Sequence, residues 1–321
     1  MVLKNKILEE LENNRDKYVS GQALAKKFGV SRNAVWKAIN LIKSDGYKID
    51  SVNNKGYRIA SPADVLSAER ITDNMSENSK KLKLIVFDSV DSTNNEAKRM
   101  IADGFKENAL VISNEQTKGR GRLGRDFYSP KNTGIYMSFI FHTYLKLSDA
   151  VSVTTAAAVA VVRAIEKLTD IKPQIKWVND VYIGDKKACG ILTEAVSDFE
   201  TGSAQSVVIG IGINISTEEF PDEITETATS LNFNGLSRNN LIAAVSDELV
   251  EICSDLSNKS YIDSYREHSL IIGKRIDFYR NNVRYGGTAV DIDSDGGLIV
   301  RLPNGETEVL NSGEVTVRLS K

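Results

Sequence analysis

The chain has 321 residues, 41% of them hydrophobic and 26% charged, with a formal net charge of -2. Its length predicts two or three globular domains. The only cysteines are Cys189 and Cys253, which excludes a disulfide framework and fits a reducing compartment.

A structural zinc site is not expected, because the two histidines and two cysteines form no cluster with metal-ligand spacing. The start of the chain, MVLKNKILEELENN, is charged and amphipathic, unlike a signal peptide. The most apolar stretch, 150–165, is interrupted by polar residues and is too short to span a bilayer. We therefore expect a cytoplasmic protein without a membrane segment.

The charge is unevenly distributed. Residues 1–60 carry twelve Lys and Arg against six Asp and Glu, a balance of +6, whereas the remainder carries 29 against 37, a balance of -8. A basic module ahead of an acidic body indicates that the two parts meet different partners.

The N-terminal residues predict three helices. Apolar residues at helical spacing predict the first helix over 2–14. Ser20 is a plausible N-cap for a short second helix, Gly29 suits its left-handed end, and Ser31 caps a third helix over 32–44. The third helix would leave a polar, basic face outward, which matches a helix-turn-helix.

A hairpin signal follows this third helix. Residues 47–59 alternate around Asn54-Lys55-Gly56, which predicts a wing with Lys55 at its tip. If this module binds DNA, the residues expected to face the major groove are Arg32, Asn33, Trp36 and Lys37. The residues expected to contact phosphates are Lys43 and Lys55. The alternative is a small helical module used only for packing or protein contact.

Beyond a linker near Pro62, strands outnumber helices and do not alternate strictly with them. The predicted fold class is therefore multi-domain α+β. It has an N-terminal winged helix-turn-helix (1–62), a central mixed α/β domain (66–268) and a C-terminal small β-barrel (270–321). The barrel is predicted from short strands punctuated by turn residues.

The stretch TKGRGRLGRDFYSP, 117–130, sets Lys118, Arg120, Arg122 and Arg125 among three glycines. It lacks the spacing of a P-loop or of a Rossmann fingerprint. A solvated loop and a nucleic-acid contact are two interpretations. The third is a closable cradle for an anion, since glycines allow close approach and arginines clamp phosphates or carboxylates.

Two further stretches carry candidate site residues. In KWVNDVYIGDKKACG, Trp177 can stack, and Asn179 and Asp180 suit a turn that contacts a ligand or a metal; the alternative is a hairpin turning at 184–185 with a solvated lysine pair. In VIGIGINIS, Gly210 and Gly212 lie two apart on a buried strand. They indicate either close approach of a ligand or simple strand packing.

Four motifs in this order behind a winged helix resemble the bifunctional biotin–protein ligases that double as biotin operon repressors. They are STNNEA (92–97), EQTKGRGRLGRDF (115–127), KWVNDVYIGDKKACGILTE (176–194) and VVIGIGINIS (207–216). The resemblance covers essentially the whole chain. It makes the central domain, 66–268, the catalytic domain that binds biotin and ATP.

The resemblance implies roles for individual residues. Biotin would be bound by Ser92, Thr93, Asn94, Gln116, Arg120, Gly121, Arg122, Lys187, Gly210 and Gly212. The nucleotide would be held by Arg125, Phe127, Asn179 and Asn214. Lys187 and Arg122 would be catalytic, and Asp180 would orient or deprotonate an acceptor lysine. Two positions depart from the family, which usually has Pro at position 178 and Trp at position 127.

The implied reaction joins two anions, the biotin carboxylate and ATP, so cations and Mg²⁺ would offset their repulsion. The product would be biotinyl-5′-AMP, from which biotin passes to a lysine of the biotin carboxyl carrier protein. The adenylate would also favour a homodimer that binds operator DNA with two winged helices.

Three rival interpretations remain open at the level of sequence. One is a transcription factor that senses a small molecule without ligase activity. Another is an acyl-protein ligase for a related acid such as lipoate. The third keeps the ligase but denies DNA binding.

Overall fold

The structure, a computed structural model, describes residues 3–14, 17–44, 47, 49–52, 55–59, 64–142, 150–197, 204–233, 235–280, 283–311 and 316–319. The chain divides into two compact units, residues 1–66 and residues 67–321. No helix in the described part of the chain is long and apolar enough to cross a membrane.

The first unit is a three-helix bundle with a two-stranded hairpin. Its elements are α1 (Leu3–Glu12), α2 (Gly21–Phe28), α3 (Arg32–Ser44), β1 (Ile49–Val52) and β2 (Gly56–Ile59). Apolar residues of all three helices share one buried core, including Ile7, Leu24 and Ile39. The winged helix-turn-helix prediction is confirmed.

Local chemistry sets the boundaries of α2 and α3. Ser20 Oγ accepts a hydrogen bond from Ala23 N at 3.0 Å, and Ser31 Oγ accepts one from Ala34 N at 3.2 Å. Gly29 ends α2 with φ +66°, a conformation that favours glycine. Strands β1 and β2 pair antiparallel as predicted, while Asn54 of the expected turn lies outside the described residues.

The second unit begins with α4 (Ala68–Asp73) and a short 3-10 helix (Ser79–Lys81). A seven-stranded sheet then carries the predicted site motifs. Its strands are β3 (Lys83–Phe87), β4 (Ala109–Ser113), β5 (Gly134–His142), β6 (Gln174–Lys176), β7 (Asp180–Ile183), β8 (Lys186–Ser197) and β9 (Ala204–Asn214). They lie in the order β3-β4-β5-β9-β8-β7-β6. Only β3 and β4 pair parallel, joined through α5 (Thr93–Ala102), and the other neighbours are antiparallel.

Helices cover both faces of this sheet. Helix α5 packs on β4, β5 and β9, and Asn94 on α5 hydrogen-bonds Leu192 and Glu194 of β8. Helix α6 (Ala150–Leu168) packs on the opposite face, where Thr154 donates to Thr193 at 2.9 Å. The sequence predicts Ser148 as the N-cap of this helix, and Ser148 lies outside the described residues.

Helices α7 (Arg238–Ser254) and α8 (Tyr261–Glu267) both pack against α6. The C-terminal strands follow: β10 (Arg275–Arg280), β11 (Val283–Ile292), β12 (Leu298–Arg301), β13 (Thr307–Leu310) and β14 (Thr316–Leu319). They form a five-stranded antiparallel sheet in the order β13-β12-β11-β10-β14. Among the described residues the edge strands β13 and β14 do not pair with each other, so the predicted barrel is observed as a small open sheet.

Candidate active site

A row of residues across the large sheet lacks side chains at its centre. Gly190 of β8 pairs with Gly212 of β9, and the row continues to Asp180 and Lys176 on one side and to Tyr136 on the other. Residues directly opposite each other on antiparallel strands share a face. The two glycines therefore leave a depression between the charged residues and Tyr136.

A first pocket lies over this depression, with about 440 Å³ of empty space including its open mouth. It is lined by Ser92, Thr93, Asn94, Gln116, Arg120, Gly121, Arg122, Phe127, Asn179, Lys187, Gly190, Ile191, Leu192, Gly210, Ile211 and Gly212. It thus combines buried polar groups with apolar residues of β8 and β9, as small-molecule sites do.

A second, wider pocket adjoins the first. Its lining residues are Gly121, Arg122, Leu123, Arg125, Asp126, Phe127, Lys176, Trp177, Asn179, Asp180, Tyr182, Lys187 and Thr227. Five residues line both pockets: Gly121, Arg122, Phe127, Asn179 and Lys187. The two pockets therefore meet at a lysine and an arginine.

The start of α5 supplies the polar wall of the first pocket. Gln116 Oε1 accepts hydrogen bonds from Thr93 N at 2.8 Å and from Thr93 Oγ1 at 3.1 Å, and Gln116 Nε2 donates to Ser129 Oγ at 2.9 Å. Ser92 is 2% exposed, and its side chain makes no capping hydrogen bond to the helix. Its hydroxyl is therefore not committed to capping this helix.

Asn94 is held in a fixed orientation behind this wall. Its Nδ2 donates to Glu194 Oε2 at 2.8 Å, and its Oδ1 accepts from Ser138 Oγ at 2.6 Å. Glu194 also pairs with Lys98 at 2.8 Å. Burial raises the pKa of Glu194, but the hydrogen bonds from Lys98 and Asn94 outweigh burial, so this pKa lies below its ordinary value. A Cβ at Gly210 would overlap Asn94 Oδ1.

The glycine–arginine loop folds as a tight turn over the pockets. Gly121 N donates to Arg125 O at 2.7 Å, and Phe127 N donates to Gly119 O at 2.9 Å. Leu123 at the tip has φ +56° and is 70% exposed. A Cβ at Gly119 would overlap the Phe127 carbonyl oxygen, so glycine is required there for the two arms to approach.

Two arginines of the loop contact asparagines of the body. Arg120 donates to Asn95 Oδ1 at 3.0 Å, and Arg122 donates to Asn179 Oδ1 at 3.2 Å. Burial lowers the pKa of Arg122, while Asp180 opposes this shift and Arg125 adds to it. A guanidinium still keeps its charge in proteins, so Arg122 is a half-buried cation aimed at the junction.

Lys187 reaches over the empty row. Its Nζ pairs with Asp180 Oδ1 at 2.7 Å, and both Nζ and Cε would lie 3.0 Å from a Cβ placed at Gly190. Its main chain is also fixed, because Lys187 N donates to Thr227 O at 2.8 Å and Lys187 O accepts from Thr229 N at 2.9 Å. The hairpin turn at 184–185 is present, but Lys187 is a pocket residue rather than one of a solvated pair.

Phe127 fills part of the space that the glycines leave. A Cβ at Gly212 would overlap its ring, and one at Gly190 would lie 3.3 Å from Phe127 Cε2. The close approaches expected at Gly210 and Gly212 are therefore made by the side chains of Asn94 and Phe127.

All ten residues predicted to contact biotin line the first pocket, and Arg125, Phe127 and Asn179 line the second. Asn214 lines neither pocket; it is 5% exposed and donates to Thr229 O at 3.0 Å. Trp177, considered for stacking, is 5% exposed and donates through Nε1 to Gly296 O at 2.9 Å. The two family departures lie here: Phe127 stands in both pockets, and the Trp177–Val178 peptide is cis.

Sequence reasoning missed several residues of the site. Glu194 follows Gly190 and Leu192 at every second position of β8, so strand alternation could have placed it on the same face. Lys176 and Tyr182 could have been placed beside Asp180 by the same argument. Ser138 carries no comparable sequence signal.

In the first unit, the residues predicted to contact DNA are all exposed. Arg32, Asn33 and Trp36 line a groove together with Val52 of β1, and Trp36 is 54% exposed. Lys37, Lys43 and Lys55 are exposed, and Lys43 Nζ donates to Ser51 Oγ at 3.0 Å. This face combines cations, an amide and an exposed aromatic ring, as DNA-reading surfaces do.

A polar pocket that meets a cation-rich pocket at one lysine is the arrangement of an enzyme that brings two anionic substrates together. Comparison with family models agrees with this class. The Biotin/lipoate A/B protein ligase family matches residues 86–214, an HTH domain matches residues 4–58, and the Biotin protein ligase C terminal domain matches residues 271–318.

Individual relatives match nearly the whole chain. The bifunctional ligase/repressor BirA of Bacillus spizizenii is 32% identical over 320 residues, covering 97% of each chain. The bifunctional ligase/repressor BirA of Escherichia coli is 27% identical and covers 93% of this chain and 92% of its own. The biotin protein ligase from Aquifex aeolicus in complex with biotin and ATP superposes with a TM-score of 0.64 at 28% identity, covering 74% of this chain and 99% of its own. The chain belongs to the family of bifunctional biotin ligases and repressors.

Proposed function

We propose that this protein activates biotin with ATP to biotinyl-5′-AMP, transfers the biotin to a carrier-protein lysine, and represses transcription of biotin genes. The observation that carries the enzymatic part is the position of Lys187. Its ammonium lies over Gly190, where the two pockets meet, and the half-buried Arg122 lines the same two pockets.

The first pocket fits the chemistry of biotin. Its buried wall offers hydroxyl and amide groups from Ser92, Thr93, Asn94 and Gln116 to a ureido ring, which both donates and accepts hydrogen bonds. Leu192, on the same strand face as Gly190, offers apolar surface to the rest of the bicyclic ring. The carboxylate then extends toward Lys187 and Arg122, and the nucleotide occupies the second pocket.

The first half-reaction is a displacement at the α-phosphorus. A biotin carboxylate oxygen forms the new bond to phosphorus, the bond to the bridging oxygen breaks, and pyrophosphate leaves with the electron pair. Lys187 and Arg122 reduce the repulsion between the two anions and stabilise the charge that develops on the phosphoryl oxygens. Arg125, Phe127 and Asn179, which line the second pocket, hold the nucleotide.

The second half-reaction forms an amide. The acceptor lysine amine attacks the acyl carbon, AMP leaves, and the nitrogen loses its proton. Asp180 lines the second pocket beside Lys187 and orients the amine or accepts that proton. Closure of the loop that carries Arg120, Gly121 and Arg122 keeps water from the reactive anhydride.

Mg²⁺ is the further component that the resemblance implies for this reaction. No group of three or more His, Cys, Asp or Glu side chains within the described ranges could hold a metal ion. Mg²⁺ would enter bound to the phosphates of ATP, where it would reduce their negative charge.

The adenylation test uses purified protein with biotin and ATP labelled at the α-phosphate. Labelled biotinyl-5′-AMP should form and should disappear when a purified biotin carboxyl carrier protein is added, with biotin appearing on one lysine. A labelled product with lipoate but not biotin would instead identify a ligase for the related acid. Tight biotin binding without any labelled product would identify a sensor.

The regulatory part rests on the exposed face of α3 and on coupling of the adenylate to dimerisation. Two winged helices on one homodimer would engage a two-fold operator, which a single module binds weakly. Sedimentation should show more dimer with biotin plus ATP than without, and gel shifts on biotin-gene operator DNA should follow the same dependence. Equal dimerisation in both conditions would contradict this coupling.

A further inference from the structure

The second pocket contains a cation that the proposed chemistry at the α-phosphate does not use. Four cationic side chains line it: Arg122, Arg125, Lys176 and Lys187. Arg122 and Lys187 also line the first pocket, and Arg125 lies on the glycine–arginine loop. Lys176 differs from these three cations in standing on the edge strand β6, and like Arg125 it lines only the second pocket.

The sheet register places Lys176 at one end of the row that carries the two glycines. Lys176 is opposite Asp180, and Asp180 is opposite Gly190, over which the Lys187 ammonium lies. Two strand spacings separate the Lys176 and Gly190 backbones, about 10 Å. A triphosphate whose α-phosphate lies at Lys187 is long enough to reach toward Lys176.

Tyr182 completes this end of the pocket. It lies two residues after Asp180 on β7 and therefore on the same face. The Lys176 ammonium lies 5.4 Å from the centre of its ring, and Lys176 Nζ is 3.5 Å from its hydroxyl oxygen. Burial, and then the Asp180 carboxylate, raise the pKa of Tyr182 to about 12, so its hydroxyl keeps its proton and can donate at neutral pH.

The charge balance of the pocket also favours a polyanion. The four cations face two carboxylates, Asp126 and Asp180, and Asp180 is paired with Lys187. Lys176 lies at the end of this pocket away from Gly190, where it can attract the part of the nucleotide farthest from the reacting carboxylate.

We propose that Lys176, assisted by the Tyr182 hydroxyl, binds the β- and γ-phosphates of ATP and so holds the pyrophosphate leaving group. This inference rests on the proposed adenylation. When the bond between the α-phosphorus and the bridging oxygen breaks, the electron pair stays on pyrophosphate, and the Lys176 ammonium offsets that charge without transferring a proton.

The test is biotin-dependent exchange of pyrophosphate into ATP with the full chain and Lys176→Met. The KM values for pyrophosphate and ATP should rise about tenfold or more, the usual effect of losing a charge-assisted hydrogen bond. Affinity for biotin and for AMP should stay unchanged, since neither carries a β-phosphate. A structural role would instead weaken AMP binding as well.

Matched variants keep the test decisive. Lys172→Met removes a lysine that is 82% exposed, paired with Glu166 and outside both pockets, so it should behave as wild type. Lys176→Arg should retain most of the pyrophosphate affinity. Tyr182→Phe keeps the ring and should raise the KM values for pyrophosphate and ATP by a smaller factor. If Lys176→Met does not fold, Tyr182→Phe still tests whether this end of the pocket binds the β- and γ-phosphates.

The outcomes separate this inference from the function on which it rests. Wild-type exchange together with an unchanged pyrophosphate KM in Lys176→Met would overturn the role of Lys176 and leave the ligase intact. Absence of exchange in the wild type would contradict the proposed adenylation itself.

Discussion

At the scale of single residues, Gly210 shows how an absent side chain shapes the site. Asn94 Oδ1 occupies the place where a Cβ would stand. Three hydrogen bonds, with Leu192, Glu194 and Ser138, hold the Asn94 side chain in this orientation. Ser138 Oγ is also within hydrogen-bond distance of Thr93 Oγ1. The orientation of Asn94 therefore depends on the absence of a side chain at Gly210.

Gly210→Ala should displace Asn94 and raise the biotin dissociation constant about tenfold or more, since disturbing a buried polar group costs about 1–3 kcal/mol. Titration calorimetry with biotin measures the effect. Gly286→Ala is the control, because Gly286 is exposed and a Cβ there would approach only Asp277 Oδ1, at 3.9 Å. Unchanged biotin affinity in Gly210→Ala would show that Asn94 does not shape the pocket.

The two thiols should be inert in the folded protein. Burial raises the pKa of Cys253 to about 12 and that of Cys189 well above its ordinary value. A raised pKa keeps a thiol protonated as pH rises through 8, and the thiolate is the reactive form. Ellman's reagent at pH 8 should therefore titrate neither thiol in native protein and both after unfolding. Rapid modification of Cys189 in the native state would contradict its burial.

The sequence predicted most residues that line the pockets because their motifs lie in loops and strand ends. Lys187 and the glycine–arginine loop are examples. Glu194 and Ser138 were missed because their contact with Asn94 depends on strands that lie far apart in the chain. Asn214 was predicted to hold the nucleotide, but it lines neither pocket, and its amide donates to Thr229 O at 3.0 Å.

At the scale of elements, α2 depends on its caps. Ser20 Oγ accepts from Ala23 N, and α2 has only eight residues, so one cap is a large share of its stabilisation. The start of α2 in the helix-turn-helix therefore depends on a few residues that are close together in the sequence.

Ser20→Ala should destabilise the first unit by about 1 kcal/mol, the usual cost of losing an N-cap. Urea denaturation followed by the fluorescence of Trp36, the tryptophan of that unit, measures it. Ser20→Asp retains an acceptor and should remain close to wild type. Equal stability of all three proteins would show that the cap contributes nothing.

The elements themselves were largely predictable from periodicity and turn residues. Gly184-Asp185 marked the β7–β8 turn, and Gly29 marked the end of α2. The order of strands was not predictable, because pairing such as β3 with β4 is set by packing of α5 and not by either strand alone. The C-terminal turns likewise predicted strands correctly but not whether the sheet closes.

At the scale of the whole molecule, the two units have separate cores and opposite charge balance. The Aquifex aeolicus ligase matches 74% of this chain over 99% of its own length, so a comparable fold exists in a shorter protein. We therefore expect the two units to carry separate functions.

A protein consisting of residues 67–321 should retain biotin-dependent adenylate formation and lose binding to operator DNA. Adenylate assays and gel shifts on the shortened and full chains measure the two properties. Loss of adenylate formation in a folded 67–321 protein would mean that the helical unit is needed to order the catalytic site.

The central claim is that Lys187 joins a biotin pocket to a nucleotide pocket for adenylation. The most direct measurement is exchange of labelled pyrophosphate into ATP with biotin, lipoate or no acid, for wild type, Lys187→Ala and Lys186→Ala. Lys186 is the matched control, because it lines neither pocket and its ammonium donates to Thr225 O at 3.0 Å.

Exchange should require biotin, fall about 100-fold or more in Lys187→Ala, as expected for a lost transition-state cation, and persist in Lys186→Ala. Exchange with no acid, or equal exchange in wild type and Lys187→Ala, would contradict the proposed adenylation of biotin at Lys187.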